Sequence, residues 1–181
     1  PEDSELAVGP SSRAAGVWIL RDGARGRKLH DAGRATLREH PAVDLLSWLE
    51  RDGEPVVRTG VGVPRGDHAV IEGAERAVLR FAPADGGDRG GDLVTDRRGR
   101  SWRVEGELTA LGAGRSGAEL DTGPYPDALA RVWAALHSPY ASDLLVSATP
   151  GYELVDWGGT SHVPGGSHGS LHECDSLAPL L

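Results

Sequence analysis

Between Asp156 and Ser176 the chain reads DWGGTSHVPGGSHGSLHECDS, which gathers three histidines, two aspartates, one glutamate and the sole cysteine into one glycine-laced stretch. Imidazole and carboxylate groups are the usual ligands of zinc and related divalent ions, and glycine lets a backbone come close to a bound ion or phosphate. Asp156, His162, His168, His172 and Asp175 are therefore the candidate ligands. Their spacing matches no self-contained zinc signature such as H-E-x-x-H. The residues alone leave three readings open: a complete local site, a contribution to a site divided over distant segments, or a solvated loop.

Other reactive groups carry less. Ser167, Ser170, Ser176 and Cys174 could act as nucleophiles, but none lies in a G-x-S-x-G elbow and no base partner is assignable from the sequence. Asp67-His68 imitates a metal-binding pair, yet the apolar Ala69-Val70 that follows places it at the end of an expected strand. Arg65-Gly66-Asp67 spells an adhesion tripeptide that is short enough to recur by chance. The five tryptophans are scattered, and core packing accounts for all but Trp157, which borders the polar stretch.

Elements that could position the motif lie just ahead of it. In YPDALARVWAALHSP, Leu129, Val132, Trp133 and Leu136 recur at helical spacing and form one apolar stripe. A strand around Leu144, Leu145 and Val146 follows and stops at the Pro150-Gly151 turn. Helix, strand and then a polar, glycine-rich loop is how open α/β sheets present sites at the carboxyl ends of strands.

Further upstream, Gly16 to Leu20 is expected as a buried strand. A short helix is expected from Asp31, as its N-cap, to Glu39, ending where Pro41 disfavours helical geometry at His40. A hairpin is predicted about Asp52-Gly53, then two strands joined around Gly73, then an exposed excursion from Pro83 to Arg100. Residues 1–15 are expected as a loose leader and 16–181 as a single α/β unit.

The chain of 181 residues has a formal charge of -8 and no basic stripe, which argues against general affinity for nucleic acid or anionic membranes. Its apolar runs, such as AVDLLSWL, fall short of the roughly eighteen residues a bilayer span needs. One cysteine excludes an internal disulfide framework. There is no methionine, so the chain is expected to be a piece of something longer.

The stretch LLVSATPGYELVDWGGTSHVPGGSHGSLHECDSLAPLL resembles the C-terminal part of the alkaline phosphatase superfamily, on its type I phosphodiesterase and nucleotide pyrophosphatase side. It is similar to actinobacterial alkaline-phosphatase-like proteins, some classed as phage holin family proteins because membrane segments precede the hydrolase-like domain. HPAVDLLSW and SWRVEGE fit that group too, so the resemblance spans most of the chain. It implies a C-terminal portion of a doubly wound α/β sheet, with an inserted β-hairpin region. It also implies a phosphoester hydrolase that acts on a small-molecule substrate with two zinc or other divalent ions, possessing a membrane tether only in the parent protein. The late His-Gly motif of the family maps onto His168-Gly169, which makes His168 the expected metal ligand. Asp156, His162, Ser167 and Gly169 are the residues implied to orient that ligand or contact substrate. The family's early Asp and Thr or Ser nucleophile, its D-x-x-x-H pair and its Asp-His-Gly element have no convincing copies before Asp156. The resemblance thus implies a fragment, inactive in isolation; the alternative is a binding or structural domain that keeps the fold without the chemistry.

Overall fold

The computed structural model describes residues 3–58, 62, 66–86, 90–154 and 168–177. The strands are β1 (Leu6–Ser11), β2 (Ala14–Ile19), β3 (Val43–Arg51), β4 (Glu54–Pro55), β5 (His68–Glu72), β6 (Val78–Pro83), β7 (Asp92–Asp96), β8 (Ser101–Gly106), β9 (Gly114–Ser116), β10 (Glu119–Asp121) and β11 (Leu144–Ala148). The helices are α1 (Gly23–Leu37), α2 (Ala128–Leu136) and the single turn α3 (Glu173–Ser176).

Among the described residues all eleven strands join one open sheet, ordered β1-β2-β11-β3-β5-β6-β8-β7-β10-β9, with β4 paired to β3. The mixed α/β class expected from the sequence is present. A doubly wound sheet is built from parallel strands; here every described pairing is antiparallel except that of β7 with β10. Because β2 and β3 each pair antiparallel with β11, they run parallel to one another. Parallel strands cannot be joined by a tight turn, and α1 supplies the crossover.

The strand β3 shows why the sequence reads as a near-continuous apolar run there. Leu46 and Trp48 lie in the core beneath α1 with Val17, Val70, Leu144 and Val146. Leu45 and Leu49 face the other way, into the core that α2 covers with Leu129, Val132 and Leu136. A strand covered on both sides has no solvated face, so its apolar residues do not alternate with polar ones. Leu45 and Leu46 are each 1% exposed, and burial of such a side chain stabilises by about 1.5–3 kcal/mol.

The face under α1 also buries charge. Glu72 is 3% exposed and pairs with Arg34 at 3.0 Å and Arg38 at 3.4 Å, so one carboxylate ties the last turn of α1 and its C-cap to β5. Glu50 accepts from the Trp48 indole at 3.1 Å and from Arg80 at 2.8 Å. The Arg34 guanidinium lies 4.7 Å from the centre of the Trp48 ring, adding a cation–π contact.

Three local expectations change. The helix α1 begins at Gly23 rather than at Asp31, because Asp22 adopts the extended N-cap backbone and Asp31 lies inside the helix. Only Gly26 and His30 of that helix are buried, so it presents no apolar stripe to read. Gly26 is required by space: a Cβ there would collide with the Arg21 carbonyl. Residues 6–11, inside the expected loose leader, form β1 against β2 with a tight turn at Ser12 and Arg13. The Asp- and Gly-rich excursion after Pro83 contains β7, whose Val94 is fully buried. The hairpin about Asp52-Gly53 stands, with both residues at positive φ (53° and 79°) as its two-residue turn demands.

Candidate functional site

The segment from His168 to Leu177 docks at the carboxyl end of β11. There β11 has finished its pairing with β2, and Arg13, in the β1–β2 turn, binds on both sides: its carbonyl accepts from Ala148 N at 2.9 Å and its N–H donates to His168 O at 3.4 Å. The peptide that carries His168 is thus laid along the turn. Gly169 has φ +116°, a conformation that disfavours any residue with a Cβ, and it redirects the chain inward. Ser170, 0% exposed, then enters the core edge, while His168 and Gly169 stay exposed.

Ser170 is the anchor. Its hydroxyl donates to Asp175 at 2.6 Å, its carbonyl accepts from Arg131 and from Ser176 at 3.0 Å each, and Arg13 pairs with Asp175 at 3.4 Å. Leu171 N donates to the buried Ser147 hydroxyl at 3.0 Å, and Leu171 O accepts from Arg131 at 3.0 Å. Arg131 projects from α2, so the loop is fastened to the same helix that covers the sheet. Gly169, Ala14, Ser47, Arg131, Ser147 and Leu171 surround a small cavity of about 170 Å³.

A second set of polar groups adjoins this loop. The Tyr125 phenol donates to Asp44 at 3.0 Å, and its ring stands edge-on to His172, with centroids 5.6 Å apart. Burial, together with the Asp44 charge, pushes the Tyr125 phenol above its ordinary value. Burial likewise lifts the Asp44 carboxyl, with the Tyr125 hydrogen bond and His172 working against it. His172 caps α3 by accepting from Cys174 N, and its Nδ1 lies 3.1 Å from Cys174 Sγ. Desolvation and then Asp175 push the Cys174 thiol above its ordinary value.

Of the candidate ligands, His168 is exposed and Asp175 is turned inward as the partner of Ser170 and Arg13. His172, another candidate, is partly buried against Tyr125. Asp156, His162 and Ser167 lie outside the described residues. Among the described residues no group of three His, Cys, Asp or Glu side chains could hold a metal ion. The described residues thus do not by themselves make a complete metal centre. Arg13, Asp44, Tyr125 and Arg131, which build this corner, escaped the sequence reading because they come from separate segments. Their partners Ser170, His172 and Asp175 lay within the motif.

Fold and site together define a mixed α/β domain with a histidine-bearing loop clamped to the carboxyl end of an interior antiparallel strand. Compared with protein-family models, curated proteins and solved structures, the chain matches none. No described helix is long and apolar enough to cross a membrane.

Proposed function

We propose that this chain is the late portion of a metal-dependent phosphoester hydrolase of the alkaline phosphatase type, to which it contributes His168 as one metal ligand. In this reading the sheet is the C-terminal portion of a larger doubly wound architecture, and the hairpins from β5 to β8 are the inserted region. The observation that carries the reading is the mounting of His168: an exposed imidazole on a backbone held by Arg13, followed at once by a positive-φ glycine and a fully buried anchor serine. A ligand has to be pre-positioned by neighbours that are themselves locked, and this loop supplies such neighbours.

Two zinc or other divalent ions, bound in the complete protein, would stabilise the attacking and leaving oxygens of a phosphoester. This chain's own part is to orient His168 and to keep the loop closed on β11 through Ser170, Asp175 and Arg131. The substrate is a small-molecule phosphoester, in keeping with the formal charge of -8, which disfavours a polyanion.

The test compares this chain with a version extended by its upstream coding sequence. The extended protein is expected to bind zinc and hydrolyse 4-nitrophenyl phosphate or its bis ester, with both properties reduced by His168→Ala. The chain alone is expected to bind zinc poorly and to be inactive. Robust turnover by the chain alone, abolished by His168→Ala, would sink the fragment reading. An extended protein without zinc or turnover favours the second reading, a non-catalytic binding or structural domain.

A further inference from the structure

A further cleft among the described residues lies away from His168. Arg13 meets the His168 peptide at the amino-terminal end of β2, whereas this cleft of about 520 Å³ opens at the carboxyl end of the same strand, between Trp18, Leu20, Arg21, Arg58, Tyr140 and Asp143. Its size falls within the range of small-molecule sites, roughly 300–1,000 Å³.

The walls of the cleft are fixed before any ligand arrives. Asp143, 2% exposed, accepts from Ile19 N at 2.7 Å and from Arg58 N at 2.8 Å, so one carboxylate clips β2 and the segment after β4 to the start of β11. Arg58 donates to Leu136 O at 2.7 Å and Ser138 O at 3.2 Å, which ties the same segment to the end of α2. The Trp18 indole donates to Tyr140 O at 3.3 Å and holds the two aromatic residues at one mouth. Trp18 is itself held, since it packs over Gly9 and Gly16, where any side chain would strike its ring.

We propose that this cleft binds a flat aromatic carboxylate of one or two fused rings. Trp18 and Tyr140 supply the aromatic walls, and Tyr140 is 74% exposed although its ring is large and apolar. The polar side chains that can recruit an acid are the two arginines, which are donors only. Arg21 gives one N–H to Leu20 O, leaving guanidinium hydrogens for a ligand. Of the two acidic side chains at the cleft, Asp143 already accepts from two amides and Asp22 is exposed at the start of α1. A ligand carboxylate is thus the partner that an arginine fork in an apolar setting favours most. The site is independent of the phosphoesterase reading.

The experiment titrates the full chain with 2-naphthoate while following the Trp18 indole N–H resonance, assigned with Trp18→Phe. A saturable shift is expected. Tyr140→Ala, which removes an exposed ring and no described core contact, should weaken binding by about 5-fold. Arg21→Gln should weaken 2-naphthoate by about 10-fold and the neutral 2-naphthylmethanol by less than about 2-fold. No saturable shift at millimolar concentrations, equal affinity for acid and alcohol in the unaltered chain, or indifference to both substitutions would each overturn the proposal.

Discussion

The imidazole of His30 stands edge-on to the indole of Trp48, with ring centroids 5.9 Å apart, and neither of its nitrogens has a hydrogen-bond partner in a pocket where it is 0% exposed. The Asp31 carboxylate is 3.7 Å away, beyond hydrogen-bond reach. Burial holds this histidine's pKa below 6.5, with Asp31 and Glu50 opposing and Arg34 adding to the shift.

A pH dependence of stability follows from that relationship. Since the folded pKa lies beneath the unfolded value of 6.5, the unfolded chain binds more protons on the acid side, and stability should fall as pH drops below 6.5 toward the folded pKa. Urea unfolding at a series of pH values from 8 to 5 checks this. In His30→Leu the slope over that window should flatten, and an unchanged slope would assign the effect to another group.

Asp143 should be costly to remove. Asp143→Ala leaves the N–H groups of Ile19 and Arg58 without their acceptor, a loss of about 2–4 kcal/mol for one buried and one partly buried donor. Burial raises its pKa above 3.8. The stability linked to its protonation is therefore present below 3.8 and lost as pH rises through the folded value. Denaturant midpoints of the variant and parent chains, with unchanged slopes, give the difference.

Asp96 behaves in the opposite sense. Burial opposes its ionisation, yet hydrogen bonds from the Trp102 indole and from Arg100 and Arg98 hold its carboxyl below 3.8. Its contribution should be complete above 3.8 and lost as pH falls through the folded value. Asp96→Asn should lower stability by about 1–3 kcal/mol at pH 7, because charge-assisted bonds to the turn between β7 and β8 are weakened. Thermal unfolding of the two proteins at pH 7 is the measurement.

Around His168 two substitutions should separate display from anchorage. His168→Ala changes an exposed side chain and should alter stability by less than about 0.5 kcal/mol. Ser170→Ala removes the 2.6 Å bond to Asp175 inside the core edge and should cost about 1–2 kcal/mol. It should also speed amide hydrogen exchange at Leu171, whose N–H is bonded to Ser147. Equal effects of the two substitutions on exchange would contradict the anchor role.

What the sequence alone determined was local. The apolar runs of β3 and β11, the stripe of α2 and the Asp52-Gly53 turn follow from side-chain periodicity and from glycine's access to positive φ, which neighbouring residues suffice to specify. The His168-Gly169 pair stands out from the other candidate ligands only through the resemblance of its stretch to the alkaline phosphatase superfamily. The tertiary structure decided what depends on partners far along the chain. The segment at Leu6–Ser11 becomes a strand because β2 is there to pair with it. β11 inserts between β2 and β3, far from both along the chain, because both its faces can then be buried. The helix α1 holds to the sheet through Glu72 and a buried histidine rather than an apolar stripe. Asp175, a candidate ligand by type, became an anchor once Ser170 and Arg13 were brought within bonding distance of it. Hydrogen bonds and ion pairs of this kind depend on atoms meeting within about 3–4 Å, and only the closed chain sets those distances.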